Sequence, residues 1–342
     1  MITDAIQKLV DRIDLDEAEA RSAMEDLMSG QATDAQVAGF LTALRMKGET
    51  AGELVSFARV MRERAEPFWE GERPATPATP ATLDTCGTGG DRSGTFNIST
   101  ACAFVAAGAS ARVAKHGNRS ASSMCGSADV LEALGVDIQM PLDRLRKAVV
   151  DVGIGFLFAQ RFHRSMKHVM PARTQLKFRT VFNLIGPLAN PALPRFQVLG
   201  VFSPDMMELV AQALVGLKTD HALVVHSDDG LDEISISAPT KILEIRDGGI
   251  QRSVVTPETF GVAPATLESL RGGDARTNAG IIEGILKGER GPRRDVVLMN
   301  AAGALMVCGC ATSLREGFRL AENSIDTGEA FRKLQVLREM SS

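Results

Sequence analysis

Residues 81–100, ATLDTCGTGGDRSGTFNIST, place an apolar strand, a glycine-rich polar loop and the start of a helix near Ile98 in succession. Gly87, Gly89 and Gly90 have no Cβ, so their backbone amides can approach an anion closely. The N-terminus of the following helix adds partial positive charge and unpaired N–H groups. The stretch fits a phosphate or pyrophosphate site, and it equally fits a tight strand-to-helix turn. It matches neither the P-loop nor the dinucleotide-binding pattern.

Beyond this stretch, apolar or β-branched segments alternate with helical ones, which predicts parallel βαβ units and a sheet covered by helices. The predicted strands are ATLDTC, ARVAK, VDIQM, IGFLFA, FQVLGVF and HALVVHS. The predicted helices are ISTACAFVAAGA, SADVLEALG, LDRLRKAVVDVG and PDMMELVAQALVGL. Further on, ISISAPTKILEIRDGGIQ predicts strands joined by a turn, followed by helices to the end. Ligands on such sheets bind beyond the carboxyl ends of the strands, so the loops there are the candidate sites.

Upstream of the sheet, residues 1–64 predict consecutive helices with short connections. Gly30 and Gly48 stand where helices should end. Helix starts are marked by three capping boxes: Asp16 with Glu19, Thr33 with Gln36, and Thr50 with Glu53. The proline repeat PATPATPAT predicts an extended linker, although a ligand for a proline-binding partner has the same pattern. We therefore predict a helical N-terminal domain at 1–72 and an α/β domain with a central, mostly parallel sheet at 73–342.

Composition predicts an ordinary soluble globular protein, with 44% hydrophobic and 23% charged residues. A net charge of -4 provides no strong attraction for nucleic acid or anionic membranes. Five cysteines without a CxxC pair indicate reduced thiols and a cytoplasmic location. The charged N-terminus lacks the apolar core of a signal peptide. The apolar stretch VVLMNAAGALMVCGCATSL includes Asn300, which favours a buried helix over a membrane span.

A second polar loop, AKHGNRSASSMCGSADV, again lies between a strand and a helix. Gly117 allows close approach to an anion, and Ser127 could also cap the next helix. His116 alone is more often a packed or surface histidine than a general base. The loop supplies two cations and four hydroxyls: Lys115, Arg119, Ser120, Ser122, Ser123 and Ser127. Two phosphate-suited loops after separate strands fit one substrate that carries two phosphate groups.

An acidic segment, HSDDGLDEISIS, places Asp228, Asp229, Asp232 and Glu233 within six positions. By itself it is typical of an acidic turn before a strand. Carboxylates also suit Mg²⁺, which keeps waters and shares substrate phosphates. Beside two phosphate-suited loops the metal interpretation is favoured, because pyrophosphate leaves readily only when its charge is neutralised.

A fourth segment, FHRSMKHVMPARTQLKFRTVFNLIGPLANP, predicts an amphipathic helix that carries His163, Lys167, His168 and Arg173. Arg173 could clamp a carboxylate with two hydrogen bonds, or it could be a solvated surface arginine. No nucleophile arrangement and no HExxH motif stands out. Transfer at an anomeric carbon through an oxocarbenium-like transition state needs neither, so we predict no catalytic side chain.

Together, DTCGTGGDRSGTFNIST, AKHGNRSASSMCGSADVLEALGV, FHRSMKH, RTVFNLIGPLANP and HSDDGLDEIS resemble the anthranilate phosphoribosyltransferases, in that family's order and over essentially the whole chain. The resemblance implies the fold of the nucleoside phosphorylase and phosphoribosyltransferase class, with helices near 165–185 completing the helical domain. It implies a homodimer and an active site at the hinge between domains. The reaction would convert 5-phosphoribosyl 1-diphosphate (PRPP) and anthranilate to N-(5-phosphoribosyl)anthranilate and pyrophosphate, in tryptophan biosynthesis. Association with anthranilate synthase is left open.

The same resemblance assigns site residues. The first donor loop would bind PRPP through Gly87, Gly90, Asp91, Thr95, Asn97, Ile98, Ser99 and Thr100. The second would use Lys115, His116, Gly117, Asn118, Arg119, Ser120, Ala121, Ser122, Ser123 and Ser127. Two Mg²⁺ ions per protomer would be held, one by Ser99 with Glu233 and one by Asp232 with Glu233. Anthranilate would contact Gly87, Asn118 and Arg173, with His116 and His163 lining its path.

The chain departs from the family pattern on the hinge and acceptor side. Gln160 stands where proline is more frequent, Arg164 and Ser165 replace Pro-Ala, and Lys177 and Phe178 replace a glycine-containing turn. These departures concern the binding of anthranilate and leave the donor loops intact.

Two other functions have the same class of fold or motif. A pyrimidine nucleoside phosphorylase also has a glycine-rich anion loop, but its KxSTGGVGD pattern differs from DTCGTGGDRSG. A nucleic-acid-binding relative without enzyme activity predicts a basic surface and a degraded acidic pair. The net charge of -4 and the intact Asp232-Glu233 pair favour the transferase.

Overall fold

The computed structural model describes residues 1–69, 81–120 and 124–341. Its N-terminal helices are α1 (Ile2–Val10), α2 (Glu17–Ser29), α3 (Asp34–Lys47) and α4 (Ala51–Arg64). At the starts of α2, α3 and α4 the cap side chain and the third helical residue exchange hydrogen bonds, so all three predicted capping boxes are confirmed. Gly30 and Gly48 end α2 and α3 at φ values of 77° and 94°, as predicted.

Seven strands of the described residues form one sheet in the order β3-β2-β1-β4-β5-β6-β7. They are β1 (Leu83–Gly87), β2 (Val113–Gly117), β3 (Ile154–Phe158), β4 (Phe196–Gly200), β5 (His221–Ser227), β6 (Thr240–Arg246) and β7 (Gly249–Val255). The first five strands in that order pair in parallel. Strand β6 then pairs antiparallel with β5 on one side and with β7 on the other. The predicted mostly parallel sheet is confirmed, and the carboxyl ends of β1, β2, β4 and β5 lie at one edge.

One face of the sheet is covered by an apolar layer that includes Phe104, Val130 and Leu305. The helices of this layer are α5 (Ile98–Gly108), α6 (Ser127–Ala133), α7 (Leu142–Lys147, continued by a π-turn at Ala148–Val152), α12 (Ala275–Leu286), α13 (Pro292–Val307), α14 (Leu314–Asp326) and α15 (Glu329–Ser341). The predicted apolar late helix is confirmed as α13, whose Asn300 is buried. Within the described ranges, no helix is both long and apolar enough to cross a membrane.

The other face packs against the N-terminal helices. Phe40, Phe57, Leu199 and Leu214 belong to one continuous core there. The remaining helices are α8 (Ala159–Phe162), α9 (Met170–Leu176), α10 (Val181–Leu188) and α11 (Asp205–Gly216). Helix α3 contacts α9, and α4 contacts α10 and α11. The proposed domain limits at 72 and 73 stay a prediction, because residues 70–80, which hold most of the proline repeat, lie outside the described residues.

Three local predictions are wrong. VDIQM is not a strand: Asp137 accepts a hydrogen bond from the amide of Gln139 at 2.8 Å, which closes a turn. ISISAP lies outside any strand, and β6 begins only at Thr240. The single amphipathic helix predicted around Arg173 is three pieces: α8, a 3-10 helix at Arg164–His168, and α9. Pro171 stands in the first turn of α9, where its missing N–H costs nothing, so the helix restarts there.

Candidate active site

The first donor loop is hydrogen-bonded to the end of β4. The amide of Thr88 donates to the carbonyl oxygen of Gly200 at 2.9 Å, and Thr88 Oγ1 accepts from the amide of Phe202 at 3.1 Å. Gly89 and Gly90 then adopt φ values of 66° and 80°, a region that favours glycine. Two of the three glycines predicted for close approach, Gly89 and Gly90, are therefore also required by the backbone of the turn.

The loop joins α5 at Asn97, whose side chain does not cap that helix. Its amide nitrogen donates to the carbonyl oxygen of Cys125 at 3.2 Å, and its oxygen accepts from Asn278 at 3.0 Å. Thr95 forms a β-bridge with Arg271. These contacts hold the start of α5 beside the second loop and leave the first turn of the helix without a side-chain cap.

The second donor loop follows β2 and is linked to the first by Lys115. The buried ammonium of Lys115 donates to the carbonyl oxygen of Thr85 and, at 3.2 Å, to Ser99 Oγ. A Cβ at Gly117 would lie 2.2 Å from Ser127 Oγ, so no larger residue fits there without rearrangement. The two loops predicted to share one substrate thus lie side by side.

Other residues predicted in the second loop have internal partners. Arg119 forms ion pairs with Asp129 at 2.9 Å and Glu132 at 2.6 Å, which raise the pKa of its guanidinium. The amide of Ser120 donates to Asp129 at 3.1 Å. Ser127 is the first residue of α6, and its hydroxyl donates to the carbonyl oxygen of Asn118 at 3.3 Å. Ala121, Ser122 and Ser123 lie outside the described residues.

The acidic segment separates into two pairs with different partners. Asp228 pairs with Lys241 at 2.9 Å, and Asp229 accepts from Ser235 Oγ at 2.6 Å, so these two stabilise the turn after β5. The half-buried pair Asp232-Glu233 faces the first loop instead, and Asp232 Oδ2 accepts from the amide of Gly89 at 3.1 Å.

Two features hold this pair in place. Asn300 on α13 accepts from the amide of Ile234 and donates to its carbonyl oxygen, both at 2.9 Å. The carbonyl oxygen of Asp232 lies so close to Gly200 that a Cβ there would come within 1.6 Å. A helix and a strand therefore fix the backbone on either side of Glu233.

The electrostatics of the pair suit a divalent cation. Desolvation, reinforced by the charge of Asp91, raises the pKa of Asp232 to about 7. Desolvation and the charge of Asp232 raise the pKa of Glu233 well above its ordinary value, against a hydrogen bond from the Ser99 amide. Closely spaced carboxylates repel each other when both are ionised, and a bound cation stabilises the ionised form of both. No three acidic, histidine or cysteine side chains of the described segments converge as ligands, so an ion here would need further oxygens.

The predicted acceptor groups have local partners of their own. Arg173 on α9 stacks over Phe182, with 5.1 Å from Cζ to the ring centroid, and burial lowers the pKa of its guanidinium. No acidic side chain of the described ranges forms an ion pair with Arg173. His116 and His163 meet edge to face at 5.2 Å, and desolvation lowers the pKa of both rings, that of His163 to about 4. Both imidazoles are therefore neutral at pH 7.

Two family models match the chain: the helical bundle domain of the glycosyl transferase family over residues 3–65, and its a/b domain over residues 79–331. An anthranilate phosphoribosyltransferase of Symbiobacterium thermophilum is 52% identical over 336 residues, which cover 98% of this chain and 96% of that protein. The chain belongs to the anthranilate phosphoribosyltransferase family.

Solved members of the anthranilate phosphoribosyltransferase family agree with this assignment. The crystal structure from Thermus thermophilus has a TM-score of 0.91 and 43% identity, covering 98% of this chain and 99% of its own. The Saccharomyces cerevisiae member has a TM-score of 0.89 and 27% identity, covering 99% of this chain and 97% of its own, and was solved with PRPP and Mg. Another structure of that yeast protein contains 4-fluoroanthranilate. The predicted family, fold class and enzyme class are confirmed.

Arg179 has no role among the sequence predictions, although the family motif RTVFNLIGPLANP begins with it. Its guanidinium donates to the carbonyl oxygen of Gly90 and stacks over Phe202, 4.0 Å from the ring centroid. A Cβ at Gly90 would lie 3.0 Å from Arg179 Nη2. The segment between α9 and α10 is thereby joined to the first donor loop. No local pattern in the sequence indicates this contact between distant residues.

The departures from the family pattern have contacts of their own. Gln160, in place of the more frequent proline, donates to Asn118 Oδ1 at 3.2 Å. Arg164 forms an ion pair with Glu66 at 3.3 Å. Phe178 is exposed beside Lys177, which ends α9 in the left-handed conformation at φ 56°. Gln160 thus contacts one of the side chains predicted to bind the acceptor.

Proposed function

We propose that the two donor loops, the acidic pair and Arg173 bind PRPP and anthranilate in this chain. The phosphoribosyl group then passes to anthranilate and pyrophosphate leaves. One observation carries the proposal: the amide of Gly89 donates to Asp232 Oδ2 at 3.1 Å. It places the glycine-rich loop directly against the acidic pair, the arrangement that a metal-bound diphosphate requires.

The donor half rests on loop amides and Lys115. Gly87, Gly90, Thr95, Asn97, Ile98, Ser99 and Thr100 line the first turn of α5 and its approach, with Asp91 available to accept from ribose hydroxyls. On the other side stand Lys115 to Ser120 and Ser127, with 121–123 assigned from the family pattern. The helix N-terminus and the ammonium of Lys115 favour anionic oxygens at this point.

Magnesium fits the acidic pair, because carboxylate and hydroxyl oxygens are its preferred ligands and it commonly takes only one or two carboxylates from a protein. We assign two ions per protomer, one to Ser99 with Glu233 and one to Asp232 with Glu233. When bound, Mg²⁺ neutralises diphosphate charge and stabilises the leaving group. Lys115, 3.2 Å from Ser99 Oγ, supplies further positive charge.

On the acceptor side, Arg173 orients the carboxylate of anthranilate, and Gly87 and Asn118 border the ring. The amine nitrogen forms a bond to the anomeric carbon as the bond from that carbon to the diphosphate oxygen breaks. The nitrogen gives up a proton to the departing diphosphate, directly or through water, so charge balances. The protein accelerates the step mainly by holding the two reactants in line, since no side chain forms a covalent intermediate.

The wider setting is inferred from family membership. We assign the chain to tryptophan biosynthesis in the cytoplasm, with association with anthranilate synthase left open. The division into 1–72 and 73–342, with helices near 165–185 joining the first unit, is supported by the contact of α3 with α9.

A homodimer is supported by exposed apolar side chains on the N-terminal helices, including Val10 and Met46. Sedimentation of wild type and of a Val10→Glu, Met46→Glu variant tests that surface.

A fluorescence assay tests the function. Purified protein with PRPP and Mg²⁺ should deplete the fluorescence of anthranilate, and omission of Mg²⁺ with added chelator should stop the loss. Substituted benzoates that compete for the acceptor site should slow it. Unchanged fluorescence with all components present would contradict the proposal.

A further inference from the structure

Helix α13 ends in a turn that carries two cysteines. Cys308 is the C-cap residue of α13. Gly309, which follows it, adopts a φ of 77°, and Cys310 comes next. The amide of Cys310 donates to Leu305 at 3.0 Å and that of Gly309 to Met306 at 3.1 Å. These two bonds define the Schellman motif, in which the glycine folds the residue after it back over the helix end.

The turn brings the two sulfurs together. Cys308 Sγ donates to Cys310 Sγ across 3.4 Å, and the carbonyl oxygen of Leu305, at 3.5 Å, is a second acceptor for the same proton. A disulfide has its sulfurs about 2.05 Å apart, so roughly 1.4 Å of approach separates the thiols from a covalent bond. Rotation about side-chain bonds supplies movement on this scale without unwinding the helix. The turn itself requires glycine at 309, whereas nothing in its backbone requires sulfur at 308 and 310.

The other three thiols differ in their surroundings. Cys86, Cys102 and Cys125 are buried, while Cys308 and Cys310 are partly exposed. Burial raises the pKa of Cys125 to about 11 and raises those of Cys86 and Cys102 as well. The chain therefore contains its own reference set of protected thiols, against which the reactivity of the pair can be measured.

The hydrogen bond gives the two thiols different pKa values. The thiol of Cys308 lowers the pKa of Cys310 to about 7, and its own pKa is raised because it holds the shared proton. Near neutral pH a large fraction of Cys310 is thiolate, the reactive form of cysteine, with an un-ionised thiol in contact.

We propose that Cys308 and Cys310 form a thiol-oxidation site that a peroxide converts to a reversible intramolecular disulfide. The Cys310 thiolate attacks one peroxide oxygen, the O–O bond breaks, and sulfenic acid and hydroxide form. The sulfur of Cys308 then attacks the sulfenic sulfur, the S–O bond breaks, and water leaves with the Cys308 proton. One thiolate, one thiol and one hydrogen peroxide thus give one disulfide, one water and one hydroxide.

A metal site explains the pair less well. Two thiols are only two soft ligands, and the described residues provide no third histidine, cysteine or carboxylate within a common ligand group. Structural zinc sites use four ligands. The pair also lies at the end of α13 remote from Pro292, whereas Asn300, which holds the acidic segment, lies two turns earlier in the same helix. Oxidation is therefore separable from binding at the candidate active site.

The test is differential alkylation of the native protein after treatment with hydrogen peroxide. The peptide that contains both cysteines should lose two hydrogen masses and resist alkylation until a dithiol reductant is added. At pH 7 this pair should react roughly tenfold faster than any of the three buried thiols. A pair that stays fully alkylatable while a buried thiol is oxidised overturns the proposal, as does a product linked between chains on a non-reducing gel.

Single variants separate the two roles. In Cys308→Ala, Cys310 loses its hydrogen-bond donor, so alkylation at pH 7 should slow several-fold and peroxide should drive Cys310 to sulfinic acid. In Cys310→Ser, Cys308 should react as slowly as the buried thiols. Transferase activity before oxidation should match wild type in both, which confirms folding. Equal alkylation rates for Cys310 in wild type and Cys308→Ala would contradict the shared proton.

Discussion

Arg179 and Gly90 join the two halves of the candidate active site. The guanidinium donates to the Gly90 carbonyl while it stacks over Phe202. Desolvation and the neighbouring Arg92 and Arg45 lower the pKa of Arg179, and the carboxylates of Asp91 and Asp232 oppose that shift. The first donor loop is therefore positioned by a side chain from the segment that follows α9.

Replacement of Arg179 by Gln should release the donor loop. We expect KM for PRPP to rise and kcat to fall, together about 10- to 100-fold in kcat/KM, because small misplacement of a bound reactant is costly. KM for anthranilate should change little. Arg179→Lys should recover only part of the loss, since an ammonium lacks the planar fork. Arg45→Gln removes a nearby charge with only a 3.9 Å contact to Glu49 and is the matched control. An effect confined to anthranilate would refute this role.

Glu233→Gln removes the carboxylate that we propose for both Mg²⁺ ions. We expect the Mg²⁺ concentration for half-maximal activity to rise at least ~10-fold and kcat to fall ~100-fold or more, by analogy with lost metal ligation and charge stabilisation. Asp228→Asn, in the same acidic segment but paired with Lys241, should leave both values near wild type. A Mg²⁺ titration of initial rates gives the answer, and equal effects of the two variants would contradict the division of the segment.

Arg173→Ala should weaken binding of anthranilate far more than binding of PRPP. A charged hydrogen-bonding pair is worth roughly 2 kcal/mol, so KM for anthranilate should rise about 30-fold. Lys167→Ala removes an exposed cation of the same segment and is the control. Steady-state kinetics with each substrate varied in turn measure the difference. Unchanged anthranilate kinetics in Arg173→Ala would move the acceptor site elsewhere.

The buried His163 should make stability depend on pH. Desolvation lowers its pKa from 6.5 to about 4 in the folded protein. Below pH 6.5 the unfolded chain binds a proton that the folded chain does not, so stability falls as pH drops from 6.5 towards 4. Between pH 8 and pH 5 this amounts to about 2 kcal/mol in the free energy of unfolding. His116 contributes in the same direction.

Urea unfolding of His163→Gln at both pH values tests that dependence. The variant should lose less stability on acidification than wild type, whatever its stability at pH 8. His168→Gln, a half-buried histidine of the same segment, serves as the control. An equally steep fall in His163→Gln would show that this ring is not responsible.

Two glycine-to-alanine variants should act in opposite directions. At Gly200 a Cβ would lie 1.6 Å from the carbonyl oxygen of Asp232, so we expect a loss of roughly 3 kcal/mol or more. Gly280, inside α12, has room for a methyl group with no atom within 4 Å, and alanine there should stabilise the protein by up to about 1 kcal/mol. Thermal unfolding compares the two, and a tolerated Gly200→Ala would mean that the acidic segment can shift.

Structural elements that are determined by residues close together in the sequence were predictable. The capping boxes at Asp16, Thr33 and Thr50 and the strand-loop-helix order around Gly87 need no distant partner. VDIQM misled because its alternating apolar residues, Val136, Ile138 and Met140, are all buried in an irregular segment as they would be in a strand. Burial on one side does not require strand pairing, and the Asp137 turn prevents it.

The site was predictable in composition but less so in its division of labour. Spacing alone did not separate Asp228 and Asp229, which stabilise the turn, from Asp232 and Glu233, which face the donor loop. That distinction is set by Lys241, Gly200 and Asn300, whose contacts with the segment cannot be seen in a linear pattern. The contact of Arg179 with Gly90 was missed for the same reason.

The two hydrogen bonds between Asn300 and Ile234 have a consequence for biosynthesis. Every residue proposed to touch substrate or metal lies at or before Glu233, so a ribosome has made all of them well before it reaches α13. Until that helix emerges and docks, the acidic segment lacks one of the two features that hold it and keeps only its contact with Gly200. Full positioning of the proposed binding residues thus waits for α13, and a product terminated before that helix would contain all of them without one of the contacts that arrange them.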